Sequence, residues 1–212
     1  MYNVACVKFG TKYNSQFVNK LYHDIKALTD KEFTFYCYTD DEVGIDKEIQ
    51  IIHPLPKPTL KGVWNKLRLF DPAMPFNGKT YFFDLDVKIC KDPFIDTDNK
   101  DWEKLTLIHS HWKIGKLYNR LSNYDVKINS SVMRWDTNAP EINEYWNHFN
   151  TGLRDYYLRK YVGIDRFIVH EDFEYFTFDS KYIQSKKYQP EVDYDPAVIT
   201  FEELDVELGD LI

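Results

Sequence analysis

Apolar positions along the chain follow two rhythms. Val4-Ala5-Cys6-Val7 opens a strand running to about Phe9, and Phe17, Leu21, Ile25 and Leu28 then recur at helical spacing. Asn14 or Ser15 stands where a cap for that helix is needed. Phe33 to Tyr38 reads as an aromatic-rich second strand and Ile49 to Ile52 as a short third. Strand, helix and strand within forty residues predict a βαβ unit and a parallel sheet. Gly62 to Phe70 then reads as a helix with Val63, Leu67 and Phe70 on one face, and Pro140 to Phe149 as another. Tyr81 to Ile89, Leu105 to His109 and Ile128 to Trp135 read as further strands. The expected fold class is α/β, one domain with a mostly parallel, Rossmann-like central sheet flanked by helices.

The stretch Tyr81-Phe82-Phe83-Asp84-Leu85-Asp86-Val87-Lys88-Ile89 organises the rest. As one strand it places Phe82, Asp84, Asp86 and Lys88 on a common face. Its start is apolar on both faces, as in a strand buried inside a sheet. Two carboxylates then emerge together, and close carboxylates resist burial unless their charge is offset. A hard divalent cation does this and keeps positions open for phosphate oxygens. A solvated strand end is the bland alternative. Lys66, one helix earlier, is placed to hold a diphosphate, although a surface position is the usual fate of a lysine. In parallel sheets ligands bind beyond the carboxyl ends of the strands. The Gly10–Tyr13 turn and the Thr39–Asp41 corner both lie there. Tyr13 offers a ring to a base, and Asp40 or Asp41 an acceptor; each is equally readable as an ordinary turn residue.

Composition narrows the classes. The chain has 212 residues, enough for one full core, with 43% apolar and 17% aromatic residues. No apolar run is long enough to span a bilayer, and no signal-peptide pattern opens the chain. Cys6, Cys37 and Cys90 sit in apolar contexts and read as free thiols of a reducing, cytoplasmic protein. Residues 191–212 carry eight acids and no Lys or Arg, so removing their −8 from the net −7 leaves the first 190 residues at +1. A nearly neutral body has no basic stripe for nucleic acid. The acidic end reads by default as a solvated segment.

In their order and spacing several pieces resemble a GT-A-fold, nucleotide-sugar-dependent glycosyltransferase of the glycogenin-like and galactosyltransferase-like group. They are Thr39-Asp40-Asp41, Trp64-Asn65-Lys66-Leu67, Phe83-Asp84-Leu85-Asp86, Asn129-Ser130-Ser131-Val132-Met133 and Gly163-Ile164-Asp165-Arg166. The resemblance implies a GT-A domain over residues 1–190, followed by the acidic segment 191–212. It also implies a transferase moving a sugar from a nucleoside-diphosphate sugar, a UDP-sugar first, to a carbohydrate or other hydroxyl acceptor, with retention. The donor site it implies takes in Lys8, Gly10, Thr11, Tyr13, Asp40, Asp41, Lys66, Asp84 and Asp86, with Mn²⁺ or Mg²⁺ on Asp84 and Asp86. Asn129 and Ser130 match the small polar turn facing the sugar, and Asp165 the Asp of an Asp-Gln pair beside the reacting carbon. Two departures stand out. Arg166 replaces the Gln, and no His-Gly metal-ligand element follows His170. Water and donor phosphates, or an acid of the end segment, then complete the cation's shell. Two rival expectations remain: a GT-A-like binding module without catalysis, and a haloacid-dehalogenase-like phosphatase. The phosphatase motif calls for Gly-Thr where Val87-Lys88 stands.

Overall fold

A computed structural model describes residues 1–54, 60–95, 102–113, 126–189, 191, 195–201 and 206–211. The proline-alternating stretch 55–58, the polar stretch 114–125 and the acids Asp193, Glu202, Glu203 and Asp205 lie outside those residues. Strands β1 (Tyr2–Lys8), β2 (Phe33–Thr39), β3 (Gln50–Ile52), β4 (Lys79–Phe83), β6 (Thr106–His109), β7 (Ile128–Asp136) and β8 (Phe176–Thr177) form a sheet in the order β3-β2-β1-β4-β7-β6-β8. Only β7 runs against the others among the described strands. A smaller sheet has β5 (Val87–Ile89), β10 (Val198–Thr200) and β9 (Ile183–Ser185) in that order.

The βαβ opening is as expected. Helix α1 (Ser15–Leu28) joins β1 to its parallel neighbour β2, and the Asn14 side chain caps it through the Gln16 amide. Its buried stripe is Phe17, Val18, Leu21, Tyr22 and Ile25; Leu28, in the last turn, is exposed. Side chains alternate across the sheet into two cores. Val4, Cys6, Tyr81 and Phe83 face α1, while Ala5 and Phe82 face the opposite layer. That layer holds helices α2 (Pro140–Phe149), α3 (Arg154–Lys160) and α4 (Ile164–His170). The chain steps from β1 outward to β2 and β3, then returns to place β4 on β1's other side. The crevice at such a reversal is where open α/β sheets bind ligands.

Four details depart from expectation. Tyr81–Ile89 is two strands: β4 ends at Phe83, Asp84–Asp86 turns, and β5 joins the second sheet. Gly62–Phe70 is a 3-10 helix, whose three-residue period aligns Val63 with Lys66 and packs Trp64, Leu67 and Phe70 inward. Lys66 and Arg68 are therefore buried, and Val63 is half exposed. Finally, the acidic end is anchored. β10 is the middle strand of the second sheet, and Val198, Phe201 and Leu211 are core residues.

Candidate active site

The crevice at the carboxyl ends of β1 and β4 is a cleft of about 260 Å³. Val7, Phe9, Lys12, Tyr13, Gly62, Val63, Lys66, Asp84, Leu85 and Asp86 line it. Three chain segments build it. The loop after β1 brings Tyr13, the 3-10 helix brings Val63 and Lys66 in line, and the turn after β4 brings Asp84 and Asp86.

Lys66 is the hub. Its Nζ donates to Asp84 Oδ2 at 2.7 Å and to the carbonyl and hydroxyl oxygens of Ser130 at 3.3 and 3.4 Å. Burial pushes the Asp84 carboxyl up to about 6; the Lys66 ammonium opposes that shift and the Asp86 charge adds to it. Asp84 is further fixed by its own N–H, which donates to Ser131 O at 2.8 Å. Asn129 in turn accepts from the Ser131 amide at 2.7 Å; both belong to strand β7, where its register against β6 shifts, and not to the expected turn. Asp86 accepts from the Tyr13 hydroxyl at 3.0 Å.

The other predicted residues, Lys8, Gly10, Thr11, Asp40, Asp41, Asn129, Ser130 and Asp165, are not among the residues lining this cleft. Lys8, buried at the end of β1, donates to the Asp41 carbonyl at 3.0 Å and pairs with its carboxylate at 3.5 Å. Asp40 accepts the Gly10 N–H at 3.3 Å, and Gly10 takes a φ of 71°, a conformation that favours glycine. Thr11 is exposed in the same loop. Asp165 is the second residue of α4 and is not among the residues lining the cleft. The start of α4 nevertheless abuts the cleft wall, because a Cβ at Gly163 would stand 3.2 Å from Val63. Sequence reading missed Val7, Gly62 and Val63 as lining residues. For Val63 the signal was the helical period: at three residues per turn it shares a line with Lys66 rather than with Leu67.

The donor set suits a hard cation. Asp84 and Asp86 offer oxygen only, they are close enough for Asp86 to raise Asp84, and each is oriented by a hydrogen bond. Among the described residues no group of three or more His, Cys, Asp or Glu converges as a metal site. No described helix is long and apolar enough to cross a membrane.

The chain has the GT-A fold, of the kind seen in LgtC. The galactosyltransferase LgtC, solved with donor and acceptor sugar analogues, superposes with a TM-score of 0.63 at 12% identity, over 94% of this chain and 87% of LgtC. A glycosyltransferase involved in glycosylation of the major capsid of PBCV-1 gives 0.59 at 15%, over 96% of this chain and 93% of that one. The glycosyltransferase GlyE of Streptococcus pneumoniae TIGR4 gives 0.63 at 12%, over all of this chain and 60% of GlyE. No protein-family model matches the chain, and no curated protein matches it.

Proposed function

We propose that this protein is a glycosyltransferase that moves a sugar from a nucleoside-diphosphate sugar, a UDP-sugar first, to a hydroxyl acceptor. The observation that carries this is Lys66, buried and bonded to both Asp84 and Ser130, in one cleft with Asp86 and Tyr13. Breaking a sugar–phosphate bond leaves negative charge on the departing diphosphate. Lys66 sits ready to bind that charge by charge-assisted hydrogen bonds, and its enclosure strengthens them. Asp84 and Asp86 hold Mn²⁺ or Mg²⁺, which when bound adds Lewis-acid stabilisation of the same leaving group. The loop Gly10–Tyr13, with Lys8, Asp40 and Asp41 fixing its base, takes the nucleoside. Asn129, Ser130 and Asp165 belong to the sugar side; a carboxylate there favours an oxocarbenium-like sugar. Retention is the expected stereochemistry. Free Cys6, Cys37 and Cys90 fit a reducing, cytoplasmic setting.

A panel of nucleotide sugars incubated with Mn²⁺ tests this. Release of nucleoside diphosphate is expected from one donor. Asp86→Asn should cut that turnover by about a hundredfold or more, the scale of losing one group that stabilises developing charge, with the circular dichroism of the fold unchanged. Near-normal turnover by the variant would remove Asp86 from the site. Nucleotide binding without release of product from any donor would identify a binding module instead.

A further inference from the structure

We infer that Tyr13 is a positioning residue whose hydroxyl couples the nucleoside end of the cleft to its cation end. This rests on the donor-site reading above and adds to it a link between two ligands. The Tyr13 side chain reaches from the loop after β1 to Asp86. Its hydroxyl donates to Asp86 Oδ2 at 3.0 Å, while its ring lines the cleft wall. The ring stands 5.0 Å from that of Phe17 on α1, and the Lys12 ammonium lies 4.7 Å from its centroid.

The loop that carries Tyr13 is tied at both ends. Asp40 holds the Gly10 amide, and Asn14 caps α1. The ring therefore has little room to shift except in its own rotamer, and that rotamer sets the hydroxyl. Asp86 needs this support. Its like-charged neighbour Asp84 repels it, and a carboxylate without a hydrogen bond would swing toward water. With Oδ2 held by Tyr13, Asp86 keeps one orientation toward a cation. A nucleoside packed on the ring locks the rotamer, and so locks Asp86. By thermodynamic reciprocity the cation must favour the nucleoside by the same factor. Hydrogen-bond partners of metal-ligating groups are typically worth about 10–100-fold in metal affinity, so the coupling should be about tenfold.

Calorimetric Mn²⁺ titrations read this without turnover. They compare saturating UDP with saturating methyl diphosphate, which has the same diphosphate monoester and no nucleoside. In the wild-type protein Mn²⁺ should bind about tenfold more tightly with UDP than with methyl diphosphate. In Tyr13→Phe, which keeps the ring, the two Mn²⁺ affinities should become equal, while UDP affinity without metal stays within about twofold. A tenfold difference surviving in Tyr13→Phe would overturn the inference. So would equal affinities in the wild type, which would leave the donor-site reading standing. If the wild type binds Mn²⁺ with neither diphosphate, the donor-site reading falls, and the inference with it.

Discussion

At the residue scale the decisive feature is a lysine that is not at the surface. Lys66 neutralises Asp84 inside the cleft, and the side chains are only 10% and 21% exposed. Removing one partner of an enclosed pair strands the other charge. Lys66→Ala should therefore lower stability as well as donor affinity. The expected loss is about 2–3 kcal/mol, somewhat below that of a fully enclosed pair. Nucleotide affinity should fall at least about tenfold, as for a lost charge-assisted phosphate contact. Adding Asp84→Asn to Lys66→Ala should restore part of the stability and none of the affinity. Urea melts and calorimetry of the three variants separate these effects; an unchanged melt for Lys66→Ala would show the pair to be solvated. That Asp84, Asp86 and Lys66 share one cleft was legible in the sequence, because paired acids after a buried strand and a lysine one helix earlier are local patterns. The Tyr13–Asp86 bond was not, since it joins residues 73 apart through the adjacency of β1 and β4.

At the scale of elements, period carried most of the information. Strands β1, β2, β3, β6 and β7 and helices α1 and α2 fall where alternation and helical spacing put them. The 3-10 helix and the break at Asp84–Asp86 did not show, because both replace one period by another within a few residues. The packing of the three helices behind the cleft also escaped sequence reading. Glu171, the C-cap of α4, gathers them: it accepts from the Tyr161 hydroxyl and from Lys160 Nζ at 3.3 Å at the end of α3, and meets His148 Nε2 of α2 at 3.1 Å. Partial burial pushes its carboxyl up, but the bonds from Tyr161, His148 and Lys160 outweigh this and hold it below the usual value. A carboxyl lowered in the folded state stabilises the protein above its unfolded value of about 4.3, and that contribution is lost as pH falls through the folded value. Glu171→Gln should cost about 1–2 kcal/mol at pH 7, the worth of hydrogen bonds to a charged group. The gap to wild type should close below about pH 4. Thermal melts across pH 3–7 check this; a gap independent of pH would mean that the carboxylate's charge plays no part.

At the scale of the whole molecule the acidic end changes meaning. A charge count suggests a solvated tail, yet β10 pairs with both β5 and β9, and the Phe201 amide donates to the Asp86 carbonyl at 3.3 Å. Deleting residues 191–212 would remove the middle strand of a sheet along with the core residues Ala197, Val198, Phe201 and Leu211, so the segment's part in metal binding has to be tested by substitution. Two carboxylates are few ligands for a hard cation, which takes six or more oxygens. With the donor absent, an entering cation also faces the Lys66 ammonium, already 2.7 Å from Asp84. A diphosphate relieves that repulsion by accepting from both Lys66 and the cation, and supplies further oxygens. Mn²⁺ should consequently bind the bare protein weakly and bind at least about tenfold more tightly with nucleoside diphosphate, by reciprocal linkage. Glu202 and Glu203 follow Phe201 in the chain and lie outside the described residues. With water and phosphates completing the shell, Glu202→Gln combined with Glu203→Gln should leave both Mn²⁺ affinities unchanged. Tight Mn²⁺ binding to the bare wild-type protein, abolished in that double variant, would show instead that the acidic end supplies a ligand.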